Sequence, residues 1–513
     1  MAYLLGIDVG TTGSKALLID EGGGIVTIYT EEYPLNTPQP QWAEQDPEDW
    51  WRAVTESIRA ALEISRIDPG DVKGVGLTGQ MHGLVLLDRE GNPLRPCIMW
   101  NDQRSGVQCA WITERVGANR LLELTGSPVF AGFTAPKIVW VREHEPQIYE
   151  QVTKVLLPKD YIRFRLTGEF ATEVSDASGT SLFDVGGRRW SKEMVEKLEI
   201  PSEWLPDCYE SPVVSGLISP AAAESTGLKA GTPVVGGAGD QAAQAVGSGI
   251  IQTGLVSVTV GTSGVIFISS DDFVVEPEGR LHAFCHAVPD KWHLMGVMLS
   301  AGGSLRWFRD TLGWMEKGVA ALVGRDPYEL LTSEAALVPV GSEGLLFLPY
   351  LAGERTPYPD PDARGVFVGL TLRHRKPHLV RALLEGVAYG LRDSMELVKR
   401  LGLEIRQVRV SGGGARSELW RQILADVFGV ELAIINVAEG AAYGAALLAG
   451  VGTGIYKNVD EACSATIEIL QRIAPTQKNV PIYDDYYSIY SSLYGVLKPS
   501  FDRLAKVVTE HIE

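Results

Sequence analysis

The residues best suited to chemistry lie in glycine-rich turns that follow apolar strands. The first turn runs from Asp8 to Lys15, after the strand-like residues 3–7. Its glycines allow several backbone N–H groups to converge on an anion, and the hydroxyls of Thr11 and Thr12 add donors. Asp8 is suited to hold Mg²⁺ through water. A plain hairpin turn explains the same residues. The Walker pattern is absent here, so its strand–loop–helix phosphate cradle does not apply.

A second turn carries one acidic residue. Residues 236–239 are Gly-Gly-Ala-Gly, and Asp240 follows them at the predicted start of a helix of small residues. A helix N-terminus is expected to lower the pKa of Asp240 and keep its carboxylate ionised. Beside a reaction centre, such a carboxylate accepts a proton from a hydroxyl group. Capping of the helix by Asp240 is the alternative, and caps are the commoner use of Asp at this position.

A third turn is a triple glycine after the predicted strand 408–410. It comprises Gly412, Gly413, Gly414, Ala415, Arg416 and Ser417. Bare backbone at three consecutive positions would let a flat ligand lie against the chain. A simple strand–helix turn has the same pattern, because a lone glycine run is weak evidence.

Two further segments after predicted strands carry donors and acceptors of the kind that bind sugar hydroxyls. They contain Gln80, Met81 and His82, and Trp100, Asn101 and Asp102. Trp100 suits either the apolar face of a sugar or the protein core, and an isolated histidine is more often structural. The pair Glu354–Arg355 lies among turn residues. For this pair, a structural loop and a ligand contact both remain open.

The elements that must position these residues form a repeated pattern. Residues 4–13 and 256–264 both read as an apolar strand that enters a Gly-Thr-Thr/Ser-Gly turn and an apolar strand that leaves it. The repeat predicts two related halves that meet near residues 247–249. Between the strands lie helical patterns, such as the one that begins with Asp46 as N-cap and Pro47 in the first turn. Strands mixed with helices indicate an α/β fold.

Composition limits the class of protein. The 513 residues are 45% hydrophobic and 21% charged, which is typical of a folded chain of several domains. The net charge of −18 disfavours nucleic acid as a partner. The five cysteines form no Cys-x-x-Cys pair, and the chain has neither a signal-peptide-like start nor an apolar run of membrane-spanning length. These features predict a cytoplasmic protein that binds no membrane.

The three glycine turns in this order, together with the two Gly-Thr hairpins, resemble the actin-like sugar kinases. The similarity is strongest to the FGGY carbohydrate kinases, whose two signatures resemble residues 132–144 and residues 365–385. Four short segments resemble members that phosphorylate D-xylulose: residues 80–83, 100–102, 157–161 and 353–357. The resemblance extends from about residue 5 to residue 450.

This resemblance implies an α/β protein of two actin-like (ribonuclease-H-like) domains, each a mixed sheet flanked by helices, with a cleft between them. Residues 1–248 would form the sugar-binding domain and residues 249–513 the nucleotide-binding domain. The implied reaction is transfer of the γ-phosphoryl group of ATP to the 5-hydroxyl of D-xylulose, with Mg²⁺ as cofactor. Closure of the two halves around both substrates would exclude water.

The resemblance also implies roles for single residues. Asp240 would be the base, and Asp8 would be catalytic by helping to hold Mg²⁺ through water. The implied sugar-binding residues are Gln80, Met81, His82, Trp100, Asn101, Asp102, Asp240 and Gln241. The implied nucleotide-binding residues are Thr11, Thr12, Gly261, Thr262, Gly412, Gly413, Gly414, Ala415 and Ser417.

Two alternatives remain at this stage. The first is a kinase of the same family that acts on ribulose, gluconate, glycerol or another polyol. The second is a non-enzymatic actin-like ATPase, which would not need Asp240 together with the polar segments around Gln80 and Trp100. The sequence does not give the oligomeric state, and a homodimer remains open.

Overall fold

The first of two large sheets is built from the N-terminal half of the chain. The computed structural model describes residues 1–512. The sheet is mixed and seven-stranded. Its path is Val214–Leu217, Pro233–Val235, Val72–Gly79, Tyr3–Val9, Gly13–Asp20 and Ile25–Glu32, with Ala238–Gly239 paired to Val72–Gly79.

The second large sheet comes from the C-terminal half and is also mixed and seven-stranded. Its strands, in spatial order, are His282–Cys285, Trp292–Met298, Gly264–Ser270, Leu255–Val260, Gln407–Ser411, Leu432–Ile435 and Ile469–Ile473.

The two sheets share one topology. Each begins with an antiparallel hairpin, and a third antiparallel strand lies on one side of it. On the other side lie two successive strands parallel to the first and then one antiparallel strand. This arrangement confirms the predicted repeat and the actin-like fold of two mixed sheets.

Five smaller strand pairs lie outside the two large sheets. Four are antiparallel and the last is parallel: Glu44–Gln45 with Cys97–Ile98, Val85–Leu87 with Lys154–Leu156, Phe183–Asp184 with Arg189–Trp190, Leu346–Leu348 with Val366–Val368, and Ala171–Glu173 with Asp207–Tyr209.

Helices cover the sheets and connect their strands. In the first half they are Pro47–Ser65, Gly106–Val116, Ala118–Thr125, Thr134–His144, Pro146–Tyr149, Pro158–Thr167, Val174–Ala177, Lys192–Leu198, Pro220–Thr226 and Asp240–Gly247. In the second half they are Gly302–Thr311, Trp314–Val323, Pro327–Ala335, Lys376–Arg400, Glu418–Phe428, Gly440–Gly452, Val459–Thr466 and Val480–Ile512. Asp46 caps the first of them by accepting a hydrogen bond from the backbone of Glu48, as predicted. No helix within residues 1–512 has the length and apolar character needed to cross a membrane.

The helix Gly440–Gly452 joins the two halves. It lies in the C-terminal part of the sequence but packs against the first sheet, with the helix Asp240–Gly247 beside it. Gly6 and Gly76 allow this close approach, because a Cβ atom at either position would collide with a helix carbonyl group. The predicted division at residues 248 and 249 stays a prediction, and at least this helix packs across it.

Candidate active site

Asp8 lies near the end of the first strand of the N-terminal sheet. It is opposite Lys15 in the antiparallel neighbour and beside Thr78 in the parallel one. The Lys15 amine is ion-paired with Glu439, which precedes the joining helix Gly440–Gly452. Burial raises the pKa of Asp8 to about 6, while the charge of Lys15 lowers it and that of Glu439 raises it. The positive charge of Lys15 is thus shared with Glu439, and the negative charge of Asp8 is not fully compensated by it.

Asp240 is the first residue of the helix Asp240–Gly247, and Gly239 occupies the N-cap position. Burial, followed by the negative charge of Asp8, raises the pKa of Asp240 to about 7, and hydrogen bonding from Gln241 lowers it only in part. The expected lowering of this pKa is wrong, because desolvation outweighs the helix N-terminus. The capping alternative is also wrong. A carboxylate that titrates near pH 7 is well matched to accept a proton.

The environment of the two carboxylates fits a divalent cation. No positively charged group within residues 1–512 lowers the pKa of Asp240, and the negative charge of Asp8 raises it. Lys15, the cation beside Asp8, is paired with Glu439. Mg²⁺ prefers carboxylate and water oxygens and would offset the repulsion between two such groups. The donor set therefore suits the Mg²⁺ predicted at Asp8, and that assignment stays a prediction.

A buried hydrogen-bond chain fixes the turn before Asp240. Ser175 Oγ accepts a hydrogen bond from the Gly239 N–H, 3.1 Å away, and donates to the Glu173 carboxylate at 3.0 Å. The Arg163 guanidinium donates to the carbonyl of Gly236. These side chains belong to a cluster in which every charged group is inaccessible to solvent: Lys159, Asp160, Arg163, Glu173 and Asp176. Sequence reasoning missed this chain, since its members come from separate elements.

Thr11, Gln80 and Trp100 form a second network on the first half. The Thr11 hydroxyl donates to the Gln80 side-chain oxygen at 3.2 Å, and the Trp100 indole N–H donates to Thr11 Oγ1 at 3.1 Å. Gln80 is buried, whereas Trp100 is 42% exposed and leaves apolar ring surface open. The structure thus brings two predicted sugar-binding residues together. It also places Thr11, predicted for the nucleotide, among them.

His82 has a left-handed backbone conformation, with φ of 70°. Its Nδ1 lies 2.7 Å from the carbonyl oxygen of Gly179 and donates to it, which leaves Nε2 as an acceptor. Burial lowers the pKa of His82 to about 3, so the ring is neutral near pH 7. The neighbouring Met81 packs under the turn before Asp240, since a Cβ atom on Gly239 would lie 3.0 Å from Met81 Cγ.

Asp102 and Asn101 differ in how far their side-chain oxygens are paired within the protein. Asp102 is fully buried, and its two oxygens accept hydrogen bonds from the Arg104 backbone and guanidinium and from the Ala43 N–H. The Arg104 guanidinium in turn lies 3.6 Å from the ring centroid of Trp42. Asn101 Oδ1, by contrast, is buried without a hydrogen-bond partner within residues 1–512. The predicted sugar contact of Asp102 stays a prediction, although its carboxylate is committed to the protein in this conformation.

The predicted nucleotide residues of the second half meet in one place. A cavity of about 520 Å³ is lined by Gly261 and Thr262 at the second hairpin and by Gly413, Gly414 and Ser417 in the triple-glycine turn. Gly412 and Ala415 belong to the same turn without lining the cavity. Ser417 also caps the helix Glu418–Phe428.

Two predicted site residues of the first half lie outside these groups. Thr12 is exposed at the tip of the first hairpin, and Gln241 lies half-buried beside Asp240.

Seven further residues that line this cavity were not found from the sequence. They are Gly302, Leu305, Arg306, Asp326, Tyr328, Glu329 and Thr332. Arg306 donates a hydrogen bond to the Thr262 hydroxyl and so joins the helix Gly302–Thr311 to the second hairpin. The paired glycines 302 and 303 at a helix start were the available signal. The remaining residues have ordinary helical patterns, and only the tertiary fold brings them to the cavity.

The two halves contain sheets of one topology. The second sheet carries a cavity beside glycine turns, and the first carries polar side chains near the Asp240 carboxylate. This combination is that of an actin-like sugar kinase. The model of the N-terminal domain of the FGGY family of carbohydrate kinases matches residues 3–247, and that of its C-terminal domain matches residues 256–453. The chain belongs to the FGGY family of carbohydrate kinases.

Individual relatives match along nearly the whole chain. A xylulose kinase of Escherichia coli is 43% identical over 501 residues, which are 98% of each chain. A gluconokinase of Bacillus subtilis is 34% identical over 507 residues, again 98% of each chain. The crystal structure of a xylulose kinase from Rhodospirillum rubrum superposes with a TM-score of 0.90 at 32% identity, covering 98% of this chain and all of the other.

Proposed function

We propose that this kinase transfers the γ-phosphoryl group of ATP to the 5-hydroxyl of D-xylulose, giving ADP and D-xylulose 5-phosphate. The observation that carries the proposal is the Asp240 carboxylate. It is partly exposed, its pKa is raised to about 7, and it follows a turn against which Met81 packs. The similarity to xylulose kinases over 98% of the chain supports D-xylulose as the sugar.

In this proposal Asp240 accepts the proton of the 5-hydroxyl while that oxygen attacks the γ-phosphorus. The new P–O bond forms as the bond from the γ-phosphorus to the bridging oxygen breaks, and ADP leaves with that electron pair. Phosphoryl transfer demands mainly positioning and charge stabilisation, so one base of moderate strength suffices. Mg²⁺, when bound near Asp8, supplies positive charge to the phosphate oxygens.

The sugar is held by residues of the first half. The exposed ring of Trp100 offers an apolar platform, and the Nε2 of His82 accepts a hydrogen bond from a sugar hydroxyl. Asn101 keeps its predicted role at the sugar, with an Oδ1 atom that is buried and has no protein partner within residues 1–512. Gln80 acts chiefly by holding Thr11, which in turn holds the Trp100 ring.

The nucleotide is held by the second half, with adenosine in the cavity beside Gly413 and Gly414 and the phosphates directed toward Thr262. The hairpin tips at Thr12 and Thr262 then approach the phosphates from opposite halves. We infer that the halves close on both substrates, since transfer to a sugar requires that water be excluded. Small-angle scattering with D-xylulose and a non-hydrolysable ATP analogue tests this. An unchanged radius of gyration would refute it.

The decisive experiment measures ADP release from Mg-ATP with D-xylulose, D-ribulose, L-ribulose, D-gluconate, glycerol or no sugar. Release that depends strongly on D-xylulose supports the proposal. The gluconokinase relative makes D-gluconate the main competing substrate, and preference for it would keep the mechanism while changing the sugar. ADP release that none of these sugars stimulates would contradict the proposal that the protein phosphorylates a sugar of this panel. Cytoplasmic location, where ATP is abundant and the five cysteines stay reduced, is part of the proposal.

A further inference from the structure

The loop that carries Arg355 is anchored within the second half, next to the cleft. Thr356 N–H donates to the Val297 carbonyl at 3.1 Å, and its hydroxyl bonds the carbonyl of Arg280, also at 3.1 Å. The Glu354 carboxylate accepts hydrogen bonds from the N–H groups of Leu299 and Arg355 at 3.0 and 2.8 Å. The backbone on both sides of Arg355 is therefore fixed, and only its side chain has freedom to turn.

The Arg355 guanidinium lies against residues of the first half. Its Cζ atom is 5.4 Å from the ring centroid of Phe130, which packs against Phe133 at 5.5 Å. Phe133 stacks on the imidazole of His82 at 4.3 Å. The charge of Arg355 contributes to the lowered pKa of His82 and of His282, so the guanidinium lies near both rings. Arg355 thus reaches from the second half to the aromatic residues that pack against His82.

This guanidinium has no hydrogen-bond or ion-pair partner in the part of the chain that the structure describes. The Arg355 side chain is partly exposed, desolvation lowers its pKa, and none of its five N–H donors makes a hydrogen bond or ion pair within residues 1–512. The two imidazoles beside it are neutral near pH 7. The Arg355 nitrogens are not among the buried polar atoms without a partner, so they are open to solvent and free to donate to a ligand. A ligand that supplies oxygen acceptors would gain charge-assisted hydrogen bonds from them.

We propose that Arg355 binds the keto end of the sugar, donating to the C2 carbonyl and the C1 hydroxyl oxygens, and so is a specificity-determining residue contributed by the second half. This inference rests on the proposed function. Met81 lies at the Asp240 turn and His82 lies beside Phe133. A sugar whose 5-hydroxyl meets Asp240 therefore extends along this segment toward Arg355. The forked guanidinium matches two adjacent oxygens.

The same geometry predicts a class of inhibitor. D-xylonate has the five-carbon chain of D-xylulose and carries a carboxylate at the end that would face Arg355. A bidentate carboxylate–guanidinium pair is stronger than a pair of neutral hydrogen bonds. D-xylonate should therefore compete with D-xylulose and bind more tightly than xylitol, which has a hydroxyl at each end.

The test compares wild type with Arg355→Met and Arg355→Lys. For Arg355→Met we expect KM for D-xylulose to rise about 10-fold or more, since hydrogen bonds from charged donors are lost, with KM for ATP nearly unchanged. In Arg355→Met, calorimetry should no longer show tighter binding of D-xylonate than of xylitol. Arg355→Lys should retain part of this preference. Arg364→Met, which removes a half-exposed arginine of the following loop, is the matched control and should behave as wild type.

Three outcomes would overturn the proposal: an unchanged KM for the sugar in Arg355→Met, a rise in KM for ATP instead, or an unchanged preference for D-xylonate. Thermal unfolding of each variant shows whether it is folded, and Arg355→Lys serves if Arg355→Met is not. The calorimetric comparison needs no turnover. It therefore judges Arg355 even if D-xylulose proves not to be the substrate, which wild-type ADP release decides separately.

Discussion

The hydroxyl of Ser175 holds the backbone N–H of Gly239, the residue directly before Asp240, at 3.1 Å. Ser175 is itself held by Glu173, so a buried carboxylate acts on the position of Asp240 through one serine and one peptide group. A buried serine–carboxylate pair therefore positions the turn that carries Asp240.

The first prediction follows from this contact. Ser175→Ala removes one hydrogen bond without changing charge, and the turn before Asp240 gains freedom. We expect kcat to fall about 5- to 50-fold with KM for both substrates nearly constant, because a small displacement of a base is costly to the reaction. Thr226→Val, which removes a buried hydroxyl bonded within a remote helix, is the matched control. Equal kcat in both variants would show that Ser175 is only structural.

The second prediction concerns Asp240→Asn. Turnover should fall about 10²-fold or more, since a positioned base is lost, while calorimetric binding of the ATP analogue is retained. Because the folded state raises the pKa of Asp240, its ionised form costs stability, and this cost grows as pH rises from 4 through about 7. The variant should therefore be more stable than wild type at pH 8, by on the order of 1 kcal/mol, and gain less at pH 5. Lower stability at pH 8 would contradict this account of the site.

The third prediction is a pH dependence. Asp240 must be ionised to accept a proton, so kcat/KM for the sugar at low Mg-ATP should rise with pH and level off above about pH 7. The negative charge of Asp8 contributes to the raised pKa of Asp240, so removing that charge should lower this pKa. In Asp8→Asn, the residual activity should show its midpoint at lower pH. A profile that is flat from pH 5 to 8 in the wild type would exclude Asp240 as the base.

The sequence predicted those features that local chemistry determines. Asp46 and Pro47 mark a helix start by their own hydrogen bonding and φ angle, and the Gly-Thr turns mark both hairpins. It failed where the tertiary environment decides. The pKa of Asp240 rises because distant elements remove water from it, and the isolation of Asp102 depends on Arg104 and on the backbone of Ala43. Neither effect leaves a mark in the neighbouring residues.

The fourth prediction tests the sugar platform. Trp100→Ala removes both the exposed ring and the indole N–H that bonds Thr11. We expect KM for the sugar to rise about 10-fold, since stacking and hydrogen bonding to a sugar each contribute roughly 1 kcal/mol. Trp100→Phe keeps an apolar face and should lose less. If KM for ATP rises instead of KM for the sugar, the Trp100 segment belongs to the nucleotide side.

The fifth prediction tests the nucleotide cavity by filling it. A Cβ atom on Gly413 meets no other atom within 4 Å, so the fold should accept a larger residue there. Gly413 nevertheless lines the cavity of about 520 Å³. In Gly413→Val the added methyl groups would occupy space that adenosine needs. KM for ATP should therefore rise about 10-fold or more, as overlap with a ligand costs at least 1 kcal/mol, with KM for the sugar little changed. Gly495→Val, an equally open position on the terminal helix, is the control. Normal KM for ATP in Gly413→Val would move the nucleotide to another site.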